Sequence, residues 1–504
     1  MPNLAKSRER GAAASWRLRR IPVDRLGARC DLLRLHHRHP ARYPHLLESA
    51  ATGTPQARYD ILFAFPGETL ELTAEGILAG SIAVDLGVAE APGDRRGRVT
   101  GDQDFLAAFD RWWERESGAA ADRDPDPPEA AEGGTAPPFT GGWFVFLGYE
   151  LAGQIEPTLK LPPAPHRLPV AFATRFPAAV ILDHEAQEVL VVAEADREHL
   201  LSDIGGDLRA AWGAFPEGAV ANCLSGELIE DPPRRYLDGV RKCIDYVFAG
   251  DVFQVNLSRA WQGRLAEDLS HADLYARLRS CNPAPFAGLA TLGPRAIISS
   301  SPERLIEVRG RVVQTRPIAG TRPRGASGIT DVALSEELLA HPKERAEHIM
   351  LLDLERNDIS RVCVPGSVKV SEMMVLESYT HVHHIVSNVR GELAPAITPG
   401  QVVRAVFPGG TITGCPKVRC MEIITELEQV GRGPYTGSMG YINRDGSLDL
   451  NILIRTMVRE GSAISLRAGS GIVADSEPER ELEETRAKAM GLIRALVESR
   501  SGGL

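Results

Sequence analysis

Cysteine is scarce in this chain, with seven in 504 residues. None forms a C-x-x-C pair, and the nearest two, Cys415 and Cys420, lack the companion ligands of a zinc site. A disulfide framework is thereby excluded, and the pattern predicts a protein of the reducing cytoplasm. Apolar runs are short: none approaches the ~18 residues that a membrane-spanning helix needs. The opening stretch carries Arg8, Arg10, Arg17, Arg19 and Arg20 but no apolar segment, so it does not read as a secretory signal. It predicts a basic, poorly ordered lead-in. Positive charge is in deficit, with 57 Lys and Arg against 67 Asp and Glu and a net charge of −10. That balance argues against a nucleic-acid partner, whose phosphates demand a basic surface. It leaves room for a small anion held by a local cluster of Arg and Lys.

What is present is ordinary globular material, 43% hydrophobic and 25% charged. Residues 117–138 are rich in Ala, Asp, Pro and Gly without periodicity and predict a flexible loop. We divide the chain into an N-terminal region, 1–220, and a catalytic region, 221–500. Gly141–Glu150 predicts an aromatic strand, and Phe176–Val192 a hairpin turning at Asp183–Gln187. Tyr236, Leu237, Val240, Ile244, Val247 and Phe248 recur at helical spacing after Asp231-Pro232-Pro233, with Gly250 at the C-terminal end. Asp251–Ser258 follows as a strand. Hairpins outnumber strand–helix–strand units, which predicts an α+β fold built on antiparallel sheets.

Three groups of residues carry chemistry. Glu344 and Glu347 lie three apart on a helix predicted over Ser335–Arg356 and share one face. Glu481 and Glu484 repeat that spacing on a C-terminal helix, with Lys488 one turn on. Ser476 and Glu479 predict a capping box at its start. Two carboxylate pairs on two helices suit a hard divalent cation such as Mg²⁺, although either pair alone is more commonly a solvated helix face. The third group is glycine-rich: Pro408–Lys417 (PGGTITGCPK) enters a helix, and Ala468–Ile472 (AGSGI) predicts a second loop after a strand at Ala463–Leu466. Such loops offer N–H groups and hydroxyls to an anion, and neither is a Walker A or Rossmann fingerprint. Arg455 ends an apolar run, and a buried Arg needs an anionic partner. His381, His383 and His384 sit on a predicted strand, where an acid–base or hydrogen-bonding histidine is the better expectation than zinc.

In order along the chain, GDVFQVNLSR (250–259), SPERL (301–305), RPIAGTRPRG (316–325), KERAEHIMLLDLERND (343–358), GGTITGCPK (409–417), GPYTGSMGY (433–441), ILIRT (452–456) and AGSGIVADSEPERELEET (468–485) resemble the chorismate-utilising enzymes. That group comprises anthranilate synthase component I, aminodeoxychorismate synthase component I, and the isochorismate and salicylate synthases. The resemblance runs from about Asp231 to Arg494 and implies a four-layer α/β/β/α fold with two large antiparallel sheets. It also implies site roles. Glu347 and Glu484 would bind Mg²⁺, with Glu344 and Glu481 supporting. Tyr435, Arg455 and the Gly469–Gly471 backbone would hold the enolpyruvyl carboxylate, with Thr315 also binding substrate. Thr411, Lys488 and His384 would line the ring, and Glu303 would be the general acid for the departing C4 hydroxyl. Water-using members carry a lysine where this chain has Gln254. Glutamine cannot serve as that base, so the resemblance points to ammonia as the nucleophile. No amidotransferase signature is present, which implies a separate glutamine amidotransferase partner.

Between the two ammonia-using branches, the short N-terminal signature (residues 43–69), GPYTGSMGY and GGWFVFLGYELAG resemble aminodeoxychorismate synthase component I. That branch aminates chorismate towards para-aminobenzoate and folate. Ala319 resembles the anthranilate branch instead, since many aminodeoxychorismate synthases place a nucleophilic lysine there. Ser49 (in LLES), Asn282 and Pro283 resemble a pocket for a feedback amino acid, or they are simply packing turns. A non-catalytic subunit that only binds the amidotransferase is the remote alternative. The presence of all four carboxylates speaks against it.

Overall fold

The computed structural model describes residues 15–26, 30–51, 58–88, 103–117, 136–211, 222–266, 269–323, 342–378 and 382–497. The predicted loop at 117–138 and the boundary at residue 220 fall almost wholly outside these residues. Two large antiparallel sheets dominate. Twelve described strands form the first, running from Trp16–Pro22 through Glu188–Glu194, Ala178–Asp183, Tyr59–Ala64, His45–Glu48, Phe286–Leu292, Arg295–Ser301, Thr456–Glu460 and Ala463–Ile472 to Gln254–Arg264 and Ile229–Glu230, with Gly414–Cys415 also paired to Gln254–Arg264. The second runs from Ile318–Pro323 and Val382–Glu392 through Val312–Thr315, Arg304–Arg309, Leu448–Asn451, Ser438–Asn443, Gly142–Leu147 and Ala171–Phe176 to Thr69–Leu72 and Leu78–Ala79. Both sheets draw strands from either side of residue 220.

Three apolar clusters explain the layering. Between the sheets lie Ile61, Phe63, Phe139, Phe144, Phe146, Phe172, Ile297, Met439 and Tyr441. The Phe63 ring meets those of Phe139 and Phe144 at 5.0 and 5.4 Å between centroids, and such edge-on aromatic packing adds to simple area burial. The outer face of the first sheet carries the helices His271–Cys281 and Pro478–Val497, through Leu274, Leu278, Ala489 and Leu492. The outer face of the second carries Phe105–Ser117, Pro342–Ser360 and Pro399–Val406. The result is helix, sheet, sheet, helix, as the resemblance implied. No helix among the described residues is long and apolar enough to cross a membrane.

Most predicted elements form, and three differ. Within the arginine-rich lead-in, whose first fourteen residues lie outside the described ones, Trp16–Pro22 is an edge strand paired to Glu188–Glu194. Trp16 and Leu18 pack on the inter-sheet core and Ile21, on the other face, packs against the helix-covered cluster, an alternation that the run of arginines hides. Ala468–Ile472 is not a loop but the end of the strand Ala463–Ile472. Its glycines pair directly with Ser258 and Asn256. The capping box also fails: the helix begins at Pro478, and Ser476 Oγ instead accepts from the Val473 N–H at 3.1 Å. Replacing Phe63 by Ala should cost about 3–5 kcal/mol by emptying the aromatic centre between the sheets. Chemical denaturation checks this.

Candidate functional site

The site forms where the first sheet, the 408–417 loop and two helices converge. Gln254, Asn256 and Ser258 project from one face of the strand Gln254–Arg264, opposite Gly469 and Gly471. Those glycines make the space. A Cβ on Gly471 would collide with Gln254 Nε2, and one on Gly469 would lie 2.8 Å from the Tyr435 hydroxyl and 3.0 Å from Asn256 Oδ1. Gln254 Nε2 donates to Glu347 Oε1 at 3.2 Å, tying this strand to the helix Pro342–Ser360.

Glu303 is the central acid. It is buried, and Thr411 Oγ1 donates to its Oε1 at 2.8 Å. Burial pushes its pKa up to about 7, against the hydrogen bond from Thr411 and the charges of Arg455 and Lys488. Arg455 occupies the left-handed region (φ 51°) in the turn between two strands, a costly backbone for a non-glycine residue. Burial pulls its pKa down and Glu303 opposes that shift. Lys488 Nζ pairs with Glu484 at 2.7 Å and donates to the Gly469 carbonyl at 3.2 Å. The structure therefore gathers Gln254, Glu347, Glu303, Thr411, Arg455, Lys488, Glu484, Tyr435, Gly469 and Gly471. Glu481 joins Glu484 in acting on the buried Tyr236, whose hydroxyl contacts Ser470 Oγ at 2.7 Å. His384 is buried on the strand Val382–Glu392, and the backbone of Ala319 pairs with the neighbouring Ile385. The Ala319, Glu344, His381 and His383 side chains lie outside the described residues. The residues that the resemblance implies for Mg²⁺ are carboxylates alone, a donor set that fits a hard divalent cation. Among the described residues no three His, Cys, Asp or Glu side chains stand close enough together to hold an ion.

Thr315 faces inward rather than into the open site: its hydroxyl donates to the Leu305 carbonyl at 3.0 Å and meets Glu355. Glu355 was missed by the sequence reading. It is buried beneath Gly410, and burial together with Asp358 raises its pKa to about 8, against Lys417. Lys417 is committed to Asp358 at 2.5 Å. The signal was available: Glu344, Glu347, His348, Leu351, Glu355 and Asp358 recur at helical spacing along one helix. A second missed group is Glu428, fully buried between Arg432 (2.6 Å) and Arg467 (2.8 Å), with Ser258 donating from its N–H and hydroxyl at 2.8 Å. Arg432 in turn lies 5.5 Å from the Tyr435 ring centroid and fixes that side chain.

Ser49 lines a separate cavity of about 190 Å³ between the sheets, walled by Glu48, Arg58, Phe286, Arg304, Tyr441 and Asp449. Asn282 does not line it. Its amide donates to Ser300 Oγ at 3.0 Å, and Gly491 of the C-terminal helix packs against it. Pro283 is likewise outside the cavity wall.

The raised pKa of Glu303 makes a prediction about stability. Below its ordinary value of 4.5 the folded and unfolded chains both hold the proton. Between 4.5 and about 7 the unfolded chain releases it first, so the folded state loses stability as pH rises, by roughly 3 kcal/mol in all. Glu303→Gln should therefore melt above the parent protein at pH 8, with the gap closing towards pH 5. Scanning calorimetry across that range checks it.

The model of the chorismate binding enzyme family matches residues 95–494. An anthranilate synthase component I-like protein of Synechocystis is 44% identical over 364 residues, covering 71% of this chain and 73% of that one. Aminodeoxychorismate synthase component 1 of Bacillus subtilis is 41% identical over 372 residues, covering 71% and 78%. Among solved structures, anthranilate synthase component I from Streptococcus pneumoniae superposes with a TM-score of 0.72 at 29% identity, covering 88% of this chain and 93% of that one. By these matches and by its two antiparallel sheets, the chain belongs to the chorismate-binding enzymes, in the group of anthranilate and aminodeoxychorismate synthase component I.

Proposed function

We propose that this protein is aminodeoxychorismate synthase component I, which aminates chorismate with ammonia supplied by a partner glutamine amidotransferase. The observation that carries the amination is Glu303, a buried acid that keeps its proton to about pH 7 beside Thr411, Arg455 and Lys488. Hydroxide is a poor leaving group, so a positioned proton donor is what the C4 hydroxyl requires. Arg455, buried and acted on by Glu303 alone among the described anions, suits a substrate carboxylate. Tyr435 and the Gly469–Gly471 backbone would orient the enolpyruvyl group. Glu344, Glu347, Glu481 and Glu484 would hold Mg²⁺, which supplies Lewis-acid polarisation of the ring carboxylate when bound. Gln254 has no titratable group with which to activate water, in keeping with ammonia as the nucleophile.

A second reading, anthranilate synthase component I, is favoured by Ala319 and by relatives carrying that name, among them the protein of Thermus thermophilus at 42% identity over 371 residues. GPYTGSMGY and the short N-terminal signature favour the aminodeoxychorismate branch. The cavity at Ser49 suits a small zwitterion, with Arg58, Arg304, Glu48 and Asp449 offering both signs of charge.

A product assay decides between the branches. The chain is incubated with chorismate, Mg²⁺ and ammonium, and half of the mixture then receives aminodeoxychorismate lyase. Para-aminobenzoate that appears only with the lyase is expected; fluorescent anthranilate formed without it would assign the other branch. Glu484→Ala should abolish Mg²⁺-dependent turnover in the same assay, and near-normal turnover would remove the carboxylates from the metal role.

A further inference from the structure

Two buried carbonyl oxygens in the site have no hydrogen-bond partner: Gln254 Oε1 and Asn256 Oδ1. Both side chains are more than nine-tenths buried, at 3% and 8% exposure, and they leave the same face of one strand two residues apart. The orientation of the Gln254 amide is set by its neighbour. Glu347 is a carboxylate and accepts only, so Nε2 must face it and Oε1 must point elsewhere. Asn256 Oδ1 lies across from Gly469, within reach of the space that a Cβ there would fill beside the Tyr435 hydroxyl. Unpaired buried acceptors are costly and rare, and a pair of them in a reaction site calls for a donor.

We propose that Gln254 Oε1 and Asn256 Oδ1 form the binding subsite for ammonia. This rests on the amination reading and deepens it. Ammonia is a small donor of three N–H groups with a single lone pair. Two carbonyl acceptors take two of its hydrogens and leave the lone pair free to attack. Asn256 thereby becomes a nucleophile-binding residue, which no motif reading had singled out.

Ammonium-chloride saturation curves at fixed alkaline pH and saturating chorismate and Mg²⁺ test this on the full chain. For Asn256→Val, the KM for ammonia should rise about tenfold, the effect of one lost hydrogen bond, while the KM for chorismate stays unchanged. An unchanged ammonia KM, or an equal rise in both constants, overturns the subsite. Chorismate binding by calorimetry without ammonia reports whether the variant is folded. If it is not, Asn256→Asp decides: it keeps an acceptor and loses the amide N–H, so a retained ammonia KM supports the oxygen's role and a raised one overturns it. A parent protein that forms no aminated product from ammonia sinks the proposed function and the subsite together. An active parent with an indifferent Asn256 sinks the subsite alone.

Discussion

Where the strand Ala463–Ile472 runs against Gln254–Arg264, Gly469 and Gly471 give up their side chains so that Gln254, Asn256 and Tyr435 can occupy the space above them. The rest of the site depends on that close approach. A methyl group at Gly471 would displace Gln254 and break its link to Glu347. One at Gly469 would push away Tyr435 and meet the Leu257 carbonyl at 2.6 Å.

The second constraint is electrostatic. Glu428 is a buried anion shared by two arginines and Ser258, every partner held at 2.6–2.8 Å. Burying so much charge is tolerable only because each member is paired, and removal of one partner would leave the others uncompensated. Arg432 extends this order outward, donating to the Asn256 carbonyl at 2.7 Å and standing over the Tyr435 and Tyr149 rings. The network fixes the floor of the site without taking part in its chemistry.

On the opposite wall the logic is reversed: acids outnumber cations and some stay protonated. Glu303, Glu355 and Asp358 gather around the 409–413 loop, while Lys417 is committed to Asp358. Burial pushes the pKa of Glu303 up to about 7, and burial with repulsion from Asp358 and Glu303 pushes that of Glu355 up to about 8. The helix that carries Glu355 also carries Glu344 and Glu347 two to three turns away.

Much of this was legible in the residues themselves. The apolar runs on either side of Asp183–Gln187, the proline start and Gly250 end of Pro233–Phe248, and the i, i+3 carboxylate pairs are local patterns, and local patterns survive into the fold because they reflect backbone geometry. The order of the eight motifs carried the family. What the sequence left undecided depends on distance in the chain. AGSGI looks like a loop because glycine has weak strand propensity; only its pairing with residues some 213 positions earlier, Gly471 with Asn256 among them, makes it a strand. Nothing local marks Glu428 among the acids of its helix; only the fold brings Arg467 and Ser258 to it. Asn256 was part of a strand motif and nothing else. Its significance arises because tertiary packing buried its side-chain oxygen, Oδ1, without a hydrogen-bond partner, and burial is a property that no single position in a sequence possesses.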